Sequence, residues 1–164
     1  MHETSYQTHF NAARHVIFSN EPVGEDGNLS GYRYTVQVKC LSCDQDKPTD
    51  MTIIKNIINV TLKNHFDHAL ILAFDDPIID RIFEVTMRDK MLGGTKFSQG
   101  DAWYGKSEVG KVAVLPYAPI SENLARFFFK KLTLSVNQLA PIDFRLASVK
   151  VWETPNWCSE YPVN

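Results

Sequence analysis

Apolar and polar residues alternate with a period of two over residues 32–40. The apolar residues occupy the even-numbered positions of this stretch: Tyr32, Tyr34, Val36, Val38 and Cys40. Such alternation predicts a β-strand with one buried face and one face in water. Further strands are predicted over residues 6–18, 111–117 and 142–154. The first two strands are predicted to pair antiparallel around the glycine-rich connection 24–27.

Apolar residues recur at intervals of three and four in other segments, which predicts amphipathic helices. The first covers residues 48–66, with Asp50 as its N-cap and Pro48 just outside. A second is predicted within residues 75–89, with Pro77 near its start. A third covers residues 121–139 and is predicted to be capped by Ser121. The helices and the antiparallel hairpin together indicate an α+β class.

A long loop is predicted over residues 90–111, which are rich in glycine and polar side chains. Long loops in compact domains are often functional. This segment holds the aromatic residues Phe97, Trp103 and Tyr104. Two roles are open for Trp103 and Tyr104. They either stack on a flat ligand ring or pack the loop onto its own domain.

Composition excludes several classes of protein. The chain has 164 residues with 44% hydrophobic and 22% charged content, which predicts a single globular domain over 1–164. The net charge is −2 without a basic stripe, so a nucleic-acid partner is not expected. No apolar run reaches the length of a membrane span. The opening MHETSYQTHF lacks a signal-peptide core, so the expected compartment is the cytoplasm.

Three cysteines do not form a disulfide framework in that compartment. Cys40 and Cys43 make one C-x-x-C, but a structural zinc site needs a second pair and a redox pair needs a helix start. The sequon NVT at 59–61 lies inside a predicted helix, so glycosylation is not expected there.

Six short segments, in order, resemble the 6-pyruvoyltetrahydropterin synthase and 6-carboxytetrahydropterin synthase family. They are FNAARHV (10–16), LSGYRY (29–34), TDMTIIK (49–55), FDHALIL (66–72), PISENLA (119–125) and VKVWET (149–154). The resemblance implies the tunnelling fold: a four-stranded antiparallel sheet, helices packed on one face, and closure of subunits into an oligomeric barrel. Residues around 75–111 are then a long loop insertion relative to shorter members.

The resemblance implies zinc bound by three histidines, but this chain departs from that pattern. The family's F-x-A-A-H places Arg14 at the first ligand, and its L-H-G-H places Ser30 and Tyr32 at the other two. Serine and tyrosine hydroxyls are poor zinc ligands beside imidazole, and arginine cannot lose its proton. His15 is the nearest substitute, yet it is predicted to point to the other face of its strand unless a bulge redirects it. We therefore expect no metal and no other cofactor.

Other positions of the family's site are retained. Asp67 and His68 match the catalytic aspartate–histidine pair. Glu153 and Thr154 match the E-T pair whose glutamate anchors a pterin. In the family's P-T-x-E motif the threonine becomes Ile120, and Ser121 and Glu122 follow. The catalytic cysteine has no counterpart, and Asp26 lies nearest to its position.

Each retained residue also has a structural interpretation. Glu153 either accepts two adjacent N–H groups of a pterin or purine, or lies at an exposed strand end or in a salt bridge. His68 is either a proton shuttle oriented by Asp67 or a histidine bonded to a helix end. Glu122 either contacts ligand or stabilises a helix N-terminus. Arg14 is a candidate contact for a ligand carboxylate or phosphate.

Three functions follow as hypotheses. The first is a protein that binds a pterin- or purine-like heterocycle through Glu153 without zinc-dependent chemistry, as a regulatory or carrier subunit or with a different metal-free reaction. The second is an active carbon–oxygen lyase of the 6-carboxytetrahydropterin synthase type, which acts on dihydroneopterin triphosphate with a rearranged metal site. The third is a structural paralogue without a ligand. The resemblance implies a homo-oligomer, a hexamer or a trimer, with the site between subunits.

Overall fold

The computed structural model describes residues 1–17, 28–43, 50–140 and 144–163. The predicted turn at 24–27, Asp26 and Pro48 lie outside these ranges. The strands are β1 (His2–Val16), β2 (Asn28–Ser42), β3 (Ala69–Ala73), β4 (Trp103–Ser107), β5 (Gly110–Leu115), β6 (Phe144–Thr154) and β7 (Trp157–Tyr161). The helices are α1 (Met51–Ile58), α2 (Asn64–Phe66), α3 (Ile79–Ile82), α4 (Val85–Leu92) and α5 (Ser121–Leu139), with a π-helical turn at Asn59–Lys63 between α1 and α2.

The strands form one mixed sheet in the order β4-β5-β3-β1-β2-β6-β7. Strand β3 pairs parallel with both β1 and β5. The pairs β4–β5, β2–β6 and β6–β7 are antiparallel. The predicted four-stranded antiparallel sheet was therefore wrong in strand number and in direction. The broader prediction, a fold that combines helices with a β-sheet, agrees with the structure.

Strands β3, β4 and β7 were not predicted from the sequence, and the first two have identifiable causes. Strand β3 is the short apolar run ALILA, which is typical of a parallel strand inside a sheet and shows no alternation. The expected loop at 90–111 was wrong at residues 103–107, because β4 forms there and pairs with β5. It was also wrong at its two ends, where α4 continues to Leu92 and β5 begins at Gly110. The expected single helix at 75–89 was wrong as well, because Phe83 is extended and separates α3 from α4.

Two compact units make up the chain. The first comprises Met1–Phe10, Arg33–His65 and Ser121–Asn164, and the second comprises Asn11–Tyr32 and Phe66–Ile120. In the first unit, Phe10 stacks on Tyr34 with ring centres 4.9 Å apart and meets the edge of Phe128 in α5. Asp50 caps α1 by accepting the Thr52 N–H at 2.9 Å, which confirms the predicted N-cap.

The second unit has its own apolar core. Seven buried residues from β3, β5, α3, α4 and the link between these helices form it: Leu72, Ile79, Ile82, Phe83, Met91, Val112 and Val114. Trp103 of β4 packs against this cluster. The extended backbone at Phe83 is thus explained by packing, since it turns a large side chain into the core. Among the described helices, none has the length and apolarity to cross a membrane.

Candidate functional site

Two of the three residues that the sequence resemblance aligns with zinc histidines meet in the second unit. Arg14 of β1 is buried, and its guanidinium carbon lies 4.9 Å from the ring centre of Tyr32 in β2. This distance is that of a cation–π contact. Arg14 Nη1 also donates to the carbonyl oxygen of Pro119 at 3.2 Å. Ser30, the remaining position, precedes Tyr32 by two residues in β2 and is half-buried.

These side chains do not fit a zinc ion. A guanidinium stays protonated at every physiological pH, so Arg14 supplies a permanent positive charge where a divalent cation would need a neutral nitrogen ligand. Its contact with Tyr32 also places an aromatic face beside that charge. In the part of the chain that the structure describes, no cluster of three His, Cys, Asp or Glu residues is arranged to hold a metal.

His15 has partners separate from those of Arg14. Its Nδ1 lies 2.6 Å from Oδ2 of Asp76, and both side chains are buried. The two neighbouring residues of β1 therefore have different surroundings, as strand alternation predicts. Asp76 was missed from the sequence, although two aspartates directly before Pro77 at a helix start were a visible signal.

Asp67 and His68 lie between α2 and β3. The Asp67 side chain accepts the N–H of Asn11 through Oδ1 at 3.0 Å, and Lys111 Nζ donates to its carbonyl oxygen at 2.8 Å. His68 Nε2 is 3.7 Å from Asp67 Oδ2, beyond hydrogen-bond distance. His68 has a positive φ of 59° and a side chain that is 77% exposed. Lys111 was not predicted from the sequence.

An open cavity of about 530 Å³ adjoins this pair within the second unit. Its walls include His68, Lys111 and Tyr32, together with small residues such as Ala13 and Gly31. One cavity is thus lined by His68 of the predicted catalytic pair and by Tyr32, which was predicted to replace a zinc histidine. Cavities of this size accommodate small-molecule ligands.

Glu153 occupies an irregular position in the first unit. The register between β6 and β7 shifts between Trp152 and Thr154, so Glu153 lies at a β-bulge and is half-buried. Bulges are over-represented beside active sites because they redirect a side chain. Thr154, which ends β6, is exposed.

Ser121 and Glu122 begin α5, also in the first unit. Ser121 is fully buried, and its Oγ lies 2.8 Å from Oγ of Ser159 and donates to Glu122 Oε2 at 3.3 Å. The predicted capping role was wrong in position, because Ser121 is already the first helical residue. Glu122 is exposed in the first turn, where a carboxylate favours the helix.

The aromatic residues of the expected loop pack onto the protein. Trp103 meets the edge of Phe83 with ring centres 5.4 Å apart, and Tyr104 meets Phe66 at 5.8 Å. Burial raises the pKa of the Tyr104 hydroxyl above its ordinary value, with smaller contributions from Asp101 and Tyr117. Packing, rather than ligand stacking, is therefore the role that these contacts give Trp103 and Tyr104.

The C-x-x-C pair has unequal members. Burial raises the pKa of the Cys40 thiol to about 12, whereas Cys43 is exposed. A thiol with so high a pKa stays protonated and is a poor nucleophile and metal ligand at neutral pH.

Comparison with known proteins decides the family. The sequence profile described as 6-pyruvoyl tetrahydropterin synthase matches residues 3–163. The chain belongs to the 6-pyruvoyl tetrahydropterin synthase family. A search of curated proteins gives no match. The family resemblance of the six short segments is thus confirmed.

Solved structures share the fold of this family member at low identity. An uncharacterized protein from Wolinella succinogenes has a TM-score of 0.65 at 18% identity, over 97% of this chain and 96% of that chain. The 6-pyruvoyl tetrahydropterin synthase of Caenorhabditis elegans has a TM-score of 0.56 at 18% identity, over 97% and 93%. The Plasmodium vivax synthase with a catalytic glutamate changed to alanine has a TM-score of 0.59 at 15% identity, over 98% and 97%. Such identities establish a shared fold alone.

Proposed function

We propose that this member of the family binds a pterin- or purine-like heterocycle through Glu153 and does so without zinc-dependent chemistry. The observation that carries the proposal is the Arg14–Tyr32 contact at 4.9 Å. It fills two of the three family ligand positions with a permanent cation and an aromatic ring. A protein that keeps the family's fold with these side chains retains the binding scaffold and lacks the ligands for the metal.

Glu153 is the proposed anchor. A pterin or purine presents two adjacent N–H donors, and a carboxylate accepts both side by side in charge-assisted hydrogen bonds. The β-bulge at Glu153 supports this role, since it gives the residue an orientation that regular pairing of β6 and β7 would not. Thr154, Ser121 and Glu122 remain predicted ligand contacts in the same unit.

Pterin binding is tested by titrating the protein with neopterin and following the intrinsic fluorescence of the pterin. In Glu153→Gln the amide oxygen can still accept one N–H, but the charge is lost and the amide NH2 faces the other N–H, so binding should weaken by at least about tenfold. The matched control is Glu108→Gln, an exposed carboxylate in the turn between β4 and β5. Equal affinity in all three proteins, or no binding to the unmodified protein, would contradict the proposed anchor and favour a paralogue without a ligand.

Arg14 is proposed to serve the anionic part of the ligand. Its guanidinium keeps a positive charge whatever its neighbours, and guanidinium groups recognise carboxylate and phosphate. Dihydroneopterin triphosphate should therefore bind more tightly than neopterin, and the difference should vanish in Arg14→Gln. An unchanged difference in Arg14→Gln would remove this role.

The absence of zinc chemistry is tested separately with dihydroneopterin triphosphate as substrate. The proposal predicts that product does not form, with or without added zinc. Turnover that requires zinc would instead support the carbon–oxygen lyase, and the metal ligands would then have to be residues other than Arg14, Ser30 and Tyr32.

Homo-oligomer formation is part of the proposal. Strands β4 and β7 are the two edges of the sheet, and a sheet edge carries backbone groups that a second subunit can pair. Trp157 of β7 is 61% exposed, which adds an apolar contact at that edge. Light scattering should give the mass of a trimer or a hexamer, and the mass of one chain would contradict this part.

A further inference from the structure

A second aspartate–histidine pair lies in the second unit, outside the residues retained from the family's site. His15 in β1 and Asp76 after β3 are joined by an Nδ1–Oδ2 distance of 2.6 Å. The side chains are 9% and 3% exposed. Asp76 Oδ1 accepts the N–H of Ile78 at 2.9 Å, so both carboxylate oxygens are engaged. The carboxylate is thus fixed in position and holds the imidazole ring.

The partner of Nδ1 determines the state of the other ring nitrogen. An ionised carboxylate can only accept hydrogen bonds, so Nδ1 must carry the shared hydrogen. In the neutral ring Nε2 then keeps a lone pair and acts as an acceptor. His15 Nε2 makes no hydrogen bond to any residue within the described ranges.

His15 is among the residues that line a cavity of about 520 Å³. Most of the wall is apolar or aromatic and includes Phe74, Pro116, Tyr117 and Pro119. Phe74 stacks on Phe97 with ring centres 5.4 Å apart and an angle of 22° between the rings. A largely apolar cavity with few convergent polar groups is the usual form of a small-molecule site.

The polar groups of this wall restrict the class of ligand. Asp75 and Asp76 both contribute to the lining, so a negatively charged ligand is disfavoured. Among the residues placed by the structure, these aspartates and His15 do not form a metal-holding group of three. With anions and metal ions set aside, the ligand that suits this cavity is a neutral molecule with a flat apolar body and one group that donates a hydrogen bond to Nε2 of His15.

We propose that this cavity binds a small, flat, neutral aromatic molecule whose O–H or N–H donates to Nε2 of His15. Asp76 acts as the positioning residue, because its hydrogen bond fixes both the ring orientation and the tautomer. Pro116, Tyr117 and Pro119 supply apolar contact for the ligand's faces. The site is distinct from the proposed pterin anchor at Glu153, which belongs to the other unit.

Two probes of nearly the same shape test the hydrogen bond. Para-cresol stays neutral near neutral pH and carries the donor O–H, and para-methylanisole replaces that group with a methyl ether. Calorimetric titration should show the phenol binding at least about tenfold more tightly than the ether, the size expected for one buried hydrogen bond to a held acceptor. Equal binding of the two probes, or no binding of either, would overturn the proposal.

The variant His15→Asn tests the acceptor itself. Its amide nitrogen takes the place of Nδ1 and keeps a donor for Asp76, while the Nε2 acceptor is lost. Phenol affinity should fall about tenfold to that of the ether. The matched control is His2→Asn, an exposed histidine in the first unit, which should bind like the unmodified protein. Unchanged phenol binding in His15→Asn would refute the role of His15.

A measurement on the unmodified chain covers the case in which His15→Asn does not fold. The ¹⁵N resonance of His15 Nε2 should move on addition of para-cresol and stay in place with para-methylanisole. The first result reports a new hydrogen bond at that nitrogen. A resonance that is unmoved by the phenol at saturating concentration would contradict the proposal.

Discussion

The second unit holds two aspartate–histidine pairs with different surroundings. Asp67–His68 was predicted from the sequence to match the family's catalytic pair, yet its side chains are 3.7 Å apart and the imidazole is 77% exposed. His15–Asp76 has no counterpart in that pattern, yet its atoms are 2.6 Å apart and both side chains are buried. Match to a family motif and physical preorganisation thus belong to different pairs in this structure.

The two pairs differ in which contacts hold their side chains in position. Asp67 is held through Asn11 and Lys111, while His68 extends into solvent at the edge of an open cavity. An exposed imidazole needs a ligand or a second subunit to fix it. The imidazole of His15 is fixed inside one chain, by a carboxylate whose second oxygen is also bonded. Preorganised polar groups act without reorganising when a ligand arrives.

The largest effect should come from Asp76→Ala. The change leaves His15 without its partner in a buried place and removes the acceptor for the Ile78 N–H. We expect a loss of about 3 kcal/mol in the free energy of unfolding, since breaking a buried pair leaves unsatisfied polar groups. Urea unfolding measures it. A loss below about 1 kcal/mol would show that the pair is not preorganised as described.

Asp67→Ala should lower the free energy of unfolding by less than Asp76→Ala does. This change removes one hydrogen bond to the Asn11 N–H and a loose contact with an exposed histidine. The expected loss is about 1 kcal/mol, in keeping with a partly solvated bond and a surface ion pair. The same urea experiment applies. A loss equal to that of Asp76→Ala would erase the contrast between the pairs.

His68 itself allows a sharper test, because its φ of 59° is in the left-handed region. His68→Gly should stabilise the protein by about 0.5 kcal/mol, since glycine adopts this conformation without strain but loses more backbone freedom on folding. His68→Val should destabilise it by about 1 kcal/mol, because a β-branched residue resists positive φ. Thermal unfolding of the two variants should therefore place them on opposite sides of the unmodified protein. The reverse order would mean that the backbone at residue 68 is not left-handed.

The smallest effect concerns pH and a carboxylate away from both pairs. Glu160 of β7 has a pKa below its ordinary 4.5, mainly because Ser148 Oγ donates to it at 2.7 Å, with help from Lys39 at 3.2 Å. Because the pKa is lower in the folded state, its stabilising contribution is complete above the ordinary value and is lost as pH falls through the folded value. Ser148→Ala should raise the Glu160 pKa in an NMR titration. An unchanged Glu160 pKa in this variant would contradict the assigned cause. Because the Glu160 pKa lies below 4.5 in the folded protein, this carboxylate does not cause changes in stability near neutral pH.

The fold was predictable where periodicity is strong. The predicted helix at 121–139 coincides with α5, and the cap at Asp50 is confirmed. Strand β3 was not predictable from alternation, because ALILA is buried almost throughout and a short apolar run does not distinguish strand from helix. Strand β4 was hidden by the glycine and polar residues before it, and its identity depends on pairing with β5.

The candidate site was predictable from motifs only in part. Family spacing aligned Arg14 and Tyr32 with two ligands of one metal, and the structure places these two side chains in contact. Local sequence did not give the pairing of His15 with Asp76, because these residues are 61 positions apart and meet only through the parallel pairing of β1 with β3. Glu153 was found from a motif, whereas its β-bulge depends on the register of β6 against β7.

The most direct test of the central claim is the zinc content of two proteins prepared without chelator and measured by elemental mass spectrometry. One is the unmodified chain, and the other carries Arg14→His, Ser30→His and Tyr32→His together. The account predicts that the unmodified chain stays without stoichiometric zinc even after incubation with excess metal, while the triple variant gains the ion because three imidazoles then share the site. About one zinc per unmodified chain would contradict the claim that Arg14, Ser30 and Tyr32 have replaced a metal site.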